Sequence, residues 1–436
     1  MSVEMKDSGI NWIGEIPKHW EVSAIKRNFQ LYSGATPKTD NELYWNGGVA
    51  WITPADYKTE DRWIECGSRY ISEEGFKSCA VTMLPKGSII FSKRAPIGLV
   101  IMNSTPLCTN QGCIGCVPFN GNGDYYYYAM SICSEQFELL GSGTTFKEIS
   151  ATSFSNFILP TPTIEEQYRI ANFLDKKCAE IDELIVLQEQ MIAQLTTYKQ
   201  AVITETVTKG LDPNVKMKDS GVEWIGEIPE HWSICRIKNL CREEQYAIKT
   251  GPFGTQLKGD DLKEEGDVCV YNQRNVIDAD FNKVHSYVLI EKANSLKSFF
   301  TKPNDLLITT RGTIGRTAVL TKDYPMGILH PCLIALRIKQ EISMNWLRYF
   351  FQTECFKTDI LLSSNATTIE VIYTDNLKNV SLPFPPLSEQ KSIANYLDQK
   401  CKEIDELISI KKEKIEYLKA YKKSVIYEYV TGKKRL

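Results

Sequence analysis

The chain has 436 residues, of which 43% are hydrophobic and 24% are charged, so it is long enough for two or more domains and has the composition of an ordinary globular protein. Its net charge of -3 excludes a protein that coats DNA through bulk positive charge, because such proteins are usually strongly basic. No apolar run approaches the roughly 20 residues of a membrane span, and the first residues lack an apolar signal segment, so we expect a cytoplasmic protein without membrane contact.

The first part of the chain combines a distinctive opening with short predicted strands. Residues 5–20 read MKDSGINWIGEIPKHW. Short apolar and aromatic runs follow between Gly, Pro and Asn residues, for example at 49–52 and 88–91, and such runs are typical of β-strands. Residues 125–139 are expected to form a helix. We therefore predict a β-rich domain over residues 1–160.

A long helix is predicted after this domain, over residues 161–211. Pro160 and Pro162 disfavour helix upstream, and Thr163 with Glu166 has the spacing of a capping box. Apolar residues then recur at intervals of three and four, which is typical of a coiled-coil seam. The seam positions are Leu174, Cys178, Ile181, Ile185, Gln188, Ile192 and Leu195. The polar residue among them would fix the helix register at some cost in stability.

The second part of the chain repeats this plan. Residues 217–232 read MKDSGVEWIGEIPEHW, which places them 212 residues (217 minus 5) after the first opening. Residues 382–408 repeat residues 159–185 at an offset of 223 (382 minus 159). A second β-rich domain is therefore predicted over 212–384 and a second helix over 385–436.

The second helix carries the same seam as the first. Ser388 stands before Glu389 and Gln390 at its predicted start. The seam positions are Leu397, Cys401, Ile404, Ile408, Lys411, Ile415 and Leu418. We predict an α+β protein in which two β-rich domains are separated by two long helices. The helices are expected to pair as an antiparallel coiled coil about 60 Å long, with pseudo-twofold symmetry relating the halves.

The repeated segments at the ends of each half are nearly identical, whereas the centres have diverged. The two offsets differ by 11 residues (223 minus 212), so the centres also differ in length. Similar ends indicate a scaffold that docks twice into the same environment, and divergent centres indicate one kind of task on two different targets. The alternative is a recent duplication without functional meaning, which would not confine divergence to the centres.

Several motifs of the chain match a known family. They are the two MKDSG openings, Ser33–Pro37 with Tyr44–Gly47, Thr250–Gly254, and the Pro-rich turns that lead into Glu166–Gln167 and Glu389–Gln390. Each motif is soft alone, but their duplicated order spans essentially the whole chain. On these residues the sequence resembles the specificity subunits of type I restriction-modification systems.

This resemblance implies a role in prokaryotic defence against foreign DNA. Each globular domain would be a target-recognition domain for one half of a bipartite site in double-stranded DNA. The helices would set the spacing and dock two modification subunits that carry S-adenosylmethionine and methylate adenine. Restriction subunits with ATP and Mg would then cut the DNA, and this chain would bind no cofactor. Half-sites one duplex turn apart, about 34 Å, require a rigid spacer between the two domains that is at least that long.

Candidate DNA-binding residues are the polar and cationic side chains of the two centres, because Arg, Lys, Asn and Gln recognise base edges. In the first centre they are Thr36, Lys38, Asn46, Thr53, Asp56, Tyr57, Lys93 and Arg94. In the second they are Gln256, Lys258, Asn272, Gln273, Arg274, Asn275, Arg311 and Arg316. We expect Lys93 and Arg94 to contact phosphate. The run Asn272–Asn275 is the best base-recognition candidate, and its alternative is a polar turn that satisfies its own backbone.

Metal binding and catalysis are not expected of this chain. Cys113 and Cys116 form a Cys-x-x-Cys motif, but the repeat aligns them with Cys332 and Ala335, and no second pair of ligands has zinc spacing. The sequence also lacks the phosphate-loop, dinucleotide-binding and zinc-protease motifs and the Asn-Pro-Pro-Tyr/Phe run of adenine methyltransferases.

Other function classes remain open on sequence grounds. A self-contained methyltransferase or nuclease is disfavoured by the missing motifs. A coiled-coil scaffold with two protein-binding heads is compatible with the near-neutral charge. A specificity chain that serves a different restriction type is a neighbouring alternative.

Overall fold

The computed structural model describes residues 4–58, 60–143, 147–364 and 371–436. These residues fold as two units: unit 1 is Met1–Glu189 with Glu413–Leu436, and unit 2 is Gln190–Lys412. Each long helix begins in one unit and ends in the other, so each unit contains part of both helices. The predicted domain boundaries, which set the helices apart as spacers, stay a prediction.

Unit 1 is built mainly from strands. Its strands are β1 (Met5–Asp7), β2 (Glu15–Pro17), β3 (Glu21–Ala24), β4 (Phe29–Ser33), β5 (Trp45–Ile52), β6 (Trp63–Ile64), β7 (Arg69–Ile71), β8 (Ile89–Ser92), β9 (Val100–Asn103), β10 (Cys108–Thr109), β11 (Cys113–Pro118) and β12 (Ile158–Thr161). Its helices are α1 (Glu73–Ser78), α2 (Gly123–Ser131), α3 (Ser134–Leu140), α4 (Ala151–Ser155) and the first part of α5 (Ile164–Lys209). The single helix predicted at 125–139 is thus two, α2 and α3.

The main sheet of unit 1 has the strand order β4-β11-β8-β9-β6, and a second sheet has the order β10-β5-β7. Side chains alternate along a strand, so neighbouring residues enter different cores. Ile89 and Phe91 of β8 pack in the core that α2 and the long helices cover, whereas Ile90 packs in a smaller core on the other face. The sheet is therefore buried on both faces, which explains the continuous apolar run at 89–91.

Unit 2 repeats this architecture with small differences. Its strands are β13 (Met217–Asp219), β14 (Glu227–Pro229), β15 (Ser233–Arg236), β16 (Ile248–Thr250), β17 (Val268–Tyr271), β18 (Tyr287–Val288), β19 (Leu306–Thr309), β20 (Thr317–Val319), β21 (Ile328–Leu329), β22 (Leu333–Leu336) and β23 (Ser381–Phe384). Its helices are the rest of α5, α6 (Ile237–Leu240), α7 (Gln273–Ile277), α8 (Ile290–Ser295), α9 (Met344–Phe350), α10 (Glu354–Ser364), α11 (Thr374–Asn379) and the first part of α12 (Leu387–Val430). The main sheet has the order β16-β22-β19-β20, so within the described residues β6 has no counterpart.

The start of each long helix is held in the same way in both units. Gln167 is buried, donates to the carbonyl of Pro162 at 2.9 Å and accepts from the N–H of Asn122 at 2.8 Å. Gln390, at the equivalent position of α12, makes the same two kinds of bond at 2.9 and 2.8 Å. Each glutamine thus joins the proline-rich turn before its long helix to the start of a second helix, α2 in unit 1 and α9 in unit 2.

The helix caps differ between the copies. The predicted capping box at the start of α5 is confirmed, because Thr163 Oγ1 accepts from the N–H of Glu166 at 3.3 Å and the Glu166 carboxylate accepts from the N–H of Thr163 at 3.2 Å. Ser388 is not the equivalent cap, since α12 begins one residue earlier. Pro386 stands in that place, and its carbonyl accepts from the N–H of Gln390 at 2.9 Å.

The predicted antiparallel pairing of the two helices is present within each unit. In unit 1 Lys422 of α12 bonds to Asp182 of α5 at 2.6 Å, and in unit 2 Lys199 of α5 bonds to Asp405 of α12 at 2.6 Å. Both partners of the second pair lie 223 positions from their counterparts in the first. The repeat is therefore reproduced down to single ion pairs.

The proposed seam residues lie along these helix pairs. Among them, Leu174, Ile181, Gln188, Leu397, Ile404 and Leu418 are buried, and Leu195 and Lys411 are half-buried. The Oε1 atom of Gln188 has no hydrogen-bond partner within the described part of the chain. A buried amide oxygen without a partner costs free energy, which is the expected cost of a polar seam position.

Candidate DNA interface

One end of the unit 1 sheets collects several loops. Strands β4 and β8 both pair antiparallel with β11, so their C-terminal ends lie at the same end of the sheet. Ser33 lies opposite Ile114, and Ser92 lies opposite Cys113. Strand β10 runs parallel to β5 and ends beside Ile52. The segments that follow β4, β8 and β10 therefore emerge together.

Main-chain hydrogen bonds hold these segments together. The N–H of Lys93 donates to the carbonyl of Gly112 at 2.9 Å, and the N–H of Ala35 donates to that of Thr109 at 3.0 Å. The N–H of Asn110 donates to the carbonyl of Ile52 at 2.9 Å. We define residues 34–36, 93–94 and 110–112 as the unit 1 rim.

Unit 2 forms the same structure from a different sequence. The N–H of Thr310 donates to the carbonyl of Cys332 at 2.9 Å, and the N–H of His330 donates to that of Tyr271 at 2.9 Å. The N–H of Gly251 donates to the carbonyl of Leu333 at 3.0 Å, as that of Gly34 does to Cys113 in unit 1. We define residues 251–253, 310–311 and 330–332 as the unit 2 rim.

Each rim requires a glycine. A Cβ atom on Gly34 would overlap the carbonyl oxygen of Asn110, and one on Gly251 would overlap the carbonyl oxygen of His330. The two backbones approach too closely for any side chain at these positions. This explains why Gly34 and Gly251 belong to the soft motifs of the two halves.

The predicted residues of unit 1 divide into two groups. Thr36, Lys93 and Arg94 lie on the rim, where the Thr36 hydroxyl donates to the side-chain oxygen of Gln111. Lys38 is exposed after the rim, and Asn46 is exposed at the start of β5 with a positive φ of 60°, a conformation that asparagine tolerates.

The other three candidates of unit 1 have structural surroundings. Thr53 caps the 3₁₀ turn Pro54–Asp56, and its own N–H donates to the Asp56 carboxylate at 2.7 Å. Burial alone would raise the pKa of Asp56, but hydrogen bonds from Ser68 and Thr53 lower it. Tyr57 is only 3% exposed. Thr53, Asp56 and Tyr57 thus hold this loop, and their contact with DNA stays a prediction.

The Asn-Gln-Arg-Asn run of unit 2 begins helix α7. The side-chain oxygen of Asn272 accepts from the N–H of Arg274 at 2.9 Å. Asn275 is buried, and its amide donates to the carbonyls of Asp280 at 3.1 Å and Lys283 at 2.9 Å. For Asn272 and Asn275 the structure thus favours the alternative of a polar turn that satisfies its own backbone.

The remaining candidates of unit 2 are accessible. Arg311 lies on the rim with its guanidinium 5.7 Å from the ring centre of Phe253, and Gln273 lies beside the adjacent Gly312. Arg274 is exposed and lies 3.5 Å from Asp278. The exposed side chains outside the rim are Gln256, Lys258 and Arg316.

The structure adds rim residues that the sequence analysis missed, namely Asn110, Gln111, Phe253 and His330. The side chain of Asn110 accepts from the N–H of Gly112 at 2.9 Å, and Nδ1 of His330 is 3.3 Å from the N–H nitrogen of Cys332. Burial, and then the charge of Arg311, lower the pKa of His330, so its ring is neutral near pH 7.

The alignment of Cys113 with Cys332, made from the sequence, is wrong by one residue. Cys113 lies opposite Ser92 in β11, and Leu333 lies opposite Thr309 in β22, so Cys113 corresponds to Leu333 and not to Cys332. Cys116 accordingly corresponds to Leu336 and not to Ala335. The centres share so few residues that only strand register fixes their correspondence.

The Cys-x-x-Cys motif lies on β11 with its two thiols on opposite faces, because residues three apart alternate in a strand. Cys113 packs in the smaller core and Cys116 in the larger one. Burial raises the pKa of the Cys113 thiol to about 12. Within the described ranges, no group of three or more His, Cys, Asp or Glu side chains is arranged to hold a metal ion.

Comparison with known proteins identifies the class. Residues 17–196 and 229–419 match the family model described as "Type I restriction modification DNA specificity domain". The chain therefore belongs to the family of type I restriction-modification specificity subunits. No helix of the described parts is both long and apolar enough to cross a membrane.

Individual relatives agree with this assignment. The MjaIX specificity subunit of Methanocaldococcus jannaschii is 30% identical over 325 residues, which cover 68% of this chain and 73% of the relative. The putative MjaX specificity subunit of the same organism is 25% identical over 97% of this chain and 96% of the relative.

Solved structures share the fold. A chain from work on complex assembly and conformational transition of the type I R-M system has a TM-score of 0.70 and 17% identity, over 95% of this chain and 98% of that one. The HsdS subunit of Thermoanaerobacter tengcongensis has a TM-score of 0.51 and 18% identity, over 96% and 98% of the two chains.

Proposed function

We propose that this chain recognises a bipartite DNA site for a type I restriction-modification complex, with one rim for each half-site and no catalysis of its own. The observation that carries this proposal is that two rims share their main-chain bonding and differ in their side chains. A common backbone with different side chains is what recognition of two different half-sites requires.

The side chains of the unit 1 rim suit contact with both bases and backbone. Glutamine pairs through two hydrogen bonds with adenine in the major groove, and Gln111 is oriented by the hydroxyl of Thr36. Lys93 and Arg94 follow directly after β8 and supply positive charge for phosphate. Only the base contacts would carry sequence information.

The unit 2 rim offers a different set. Arg311 is held over the ring of Phe253, and arginine recognises guanine through two hydrogen bonds. Gln273 beside it adds an amide, and the neutral His330 adds a polar ring. This rim therefore favours a half-site other than that of unit 1.

The long helices are proposed to dock two modification subunits. Three exposed apolar positions of unit 1 recur in unit 2 at the offset of 223, or its reverse: the pairs are Leu184 with Leu407, Leu187 with Ile410, and Tyr421 with Tyr198. Exposed apolar residues mark interaction surfaces, and the same set on each unit suits two copies of one partner. S-adenosylmethionine, ATP and Mg are assigned to partner subunits, consistent with the motifs missing from this sequence.

The test is methylation mapping with chimeric chains. The chain is co-expressed with a modification subunit, and adenine methylation is mapped by long-read sequencing. We expect a bipartite motif with a fixed unspecified gap. Replacing residues 21–158 by the centre of a relative should change one half of the motif, and replacing residues 233–381 should change only the other.

Three outcomes would contradict the proposal. A contiguous motif would rule out two separate recognition units. An assembled complex that methylates nothing would favour the scaffold with two protein-binding heads. Methyl transfer by the purified chain alone would show that it is an enzyme.

A further inference from the structure

A single carboxylate in unit 1 engages both cations of the rim. Oε1 of Glu148 lies 2.8 Å from Nζ of Lys93, and Oε2 accepts from Nε of Arg94 at 2.8 Å. The Lys93 side chain is only 14% exposed, so most of its surface is already covered. Glu148 thus occupies the place of an anionic ligand on these two side chains.

The backbone fixes Glu148 in this position. The N–H of Ile149 donates to the carbonyl of Lys93 at 2.9 Å, and the N–H of Glu148 donates to the carbonyl of Ser142 at 2.9 Å. The hydrogen bond from Lys93, opposed by burial and aided by Arg94, lowers the pKa of Glu148. The carboxylate therefore stays charged at neutral pH.

Unit 2 has the same backbone contact without the carboxylate. The N–H of Ile372 donates to the carbonyl of Thr310 at 2.9 Å, and Val371 is bridged to Arg311 as Glu148 is to Arg94. Ile372 and Val371 each lie 223 positions after their counterparts, so valine replaces the glutamate. Within the described part of the chain, Arg311 forms no ion pair, and its guanidinium rests on an aromatic ring.

We propose that Glu148 is a specificity-determining residue that acts on DNA binding by unit 1. A phosphate competes with the Glu148 carboxylate for Lys93, which is largely covered, and for Nε of Arg94. Non-specific DNA makes no base contacts that offset the free-energy cost of displacing that carboxylate, whereas a correct half-site does. Glu148 therefore suppresses non-specific binding by unit 1, and Arg311 of unit 2 is not suppressed in this way. This inference rests on the proposed function.

The experiment uses the chain assembled with its modification subunits. Affinity is measured by fluorescence anisotropy, across a salt series, for a duplex with the mapped site and for one without it. E148Q should strengthen binding to the duplex without the site by roughly tenfold, and its salt slope should steepen by up to about two, because two cations become free for phosphate. The preference for the correct site should fall accordingly.

The reciprocal variant installs the carboxylate in unit 2. V371E should weaken binding to the duplex without the site and make the salt slope shallower by up to about one, because Arg311 gains an internal partner. V371E introduces a carboxylate at the position equivalent to Glu148, so its result is informative even if E148Q does not fold normally. Hydrogen exchange of both variants, read separately for the strands of each unit, checks that each unit is intact.

Different outcomes separate this inference from the proposed function. If E148Q and V371E leave both affinities and slopes unchanged, while a K93A/R94A double variant weakens binding, Glu148 has no such role and the rim still binds DNA. If the double variant also changes nothing, the rim does not bind DNA and the proposed function fails with it. If E148Q weakens only specific binding, Glu148 contacts a base, and the displacement mechanism is wrong.

Discussion

The stability of unit 1 should depend strongly on Arg62, which directly precedes β6, the strand without a described counterpart in unit 2. Its guanidinium lies 2.6 Å from Asp124, 2.5 Å from Asp175 and 3.2 Å from the hydroxyl of Tyr128. Three aromatic rings surround it, with centres 5.2 to 5.4 Å away. One side chain thus links β6 to α2 and to α5.

The expected cost of Arg62→Ala lies between those of surface and buried ion pairs. The Arg62 side chain is 22% exposed, and the carboxylates of Asp124 and Asp175 are 39% and 38% exposed. Breaking a fully buried pair costs about 3–5 kcal/mol and a surface pair about 0–1 kcal/mol. With the ring contacts included, we expect a loss of about 2–3 kcal/mol. Arg62→Lys should recover part of it, since lysine keeps the charge but not the planar fork.

The assay must report on unit 1 alone, because a protein with two units has no single unfolding equilibrium. Hydrogen exchange read by mass spectrometry, with β8 and β11 as probes of unit 1 and β19 and β22 as probes of unit 2, meets this need. Arg274→Ala is the matched control, since Arg274 is 77% exposed and its pair with Asp278 is 3.5 Å long. If Arg62→Ala lowers the stability of unit 1 by less than about 0.5 kcal/mol, no more than the control variant does, the estimate is wrong.

Three further predictions concern the rim and the cysteines. Gly34→Ala should force the backbone away from Asn110 and abolish methylation of one half-site motif, and the thermal unfolding curve shows whether the fold survives. Iodoacetamide should label the exposed Cys66 and spare Cys113, whose pKa is about 12, and EDTA should leave the unfolding temperature unchanged. The ion pairs hold the pKa of Glu148 below its usual 4.5, so the wild-type chain should be more stable than E148Q at pH 7. This advantage should vanish as the pH falls below 4.5 and the carboxylate becomes protonated. A difference in stability that does not change with pH would contradict the ion-pair geometry.

Much of the architecture could be predicted from the sequence because it depends on repeated local signals. The prolines before each long helix, the capping pair of Thr163 and Glu166, and the spacing of apolar residues each act over a few positions. The antiparallel pairing follows from two equivalent helices in one chain. A local signal can also mislead: Ser388 has the residue type of a cap, but the offset of 223 places Pro386 at the position of Thr163, before the start of α12.

The rims could not be predicted in the same way because strand register assembles them. Asn110 and Ile52 are 58 positions apart, and only the parallel pairing of β10 with β5 brings them together. A polar run such as Asn272–Asn275 is prominent in the sequence, yet two of its side chains satisfy nearby backbone. Composition identified polar residues, but it did not distinguish those that face solvent from those that hold a turn.

The bonding of the rims explains how the centres can diverge while the ends of each half do not. The bonds that the two rims share use main-chain N–H and carbonyl groups, which any residue other than proline supplies, and the bond from Thr36 to Gln111 is an addition of unit 1. Asn110 can therefore become His330, and Glu148 can become Val371, without loss of the framework. Only the glycine at the closest approach is fixed by geometry. On the proposed function, such a rim would allow new DNA specificities to arise by side-chain substitution alone, while the helices and the openings of each half would keep their common docking environment.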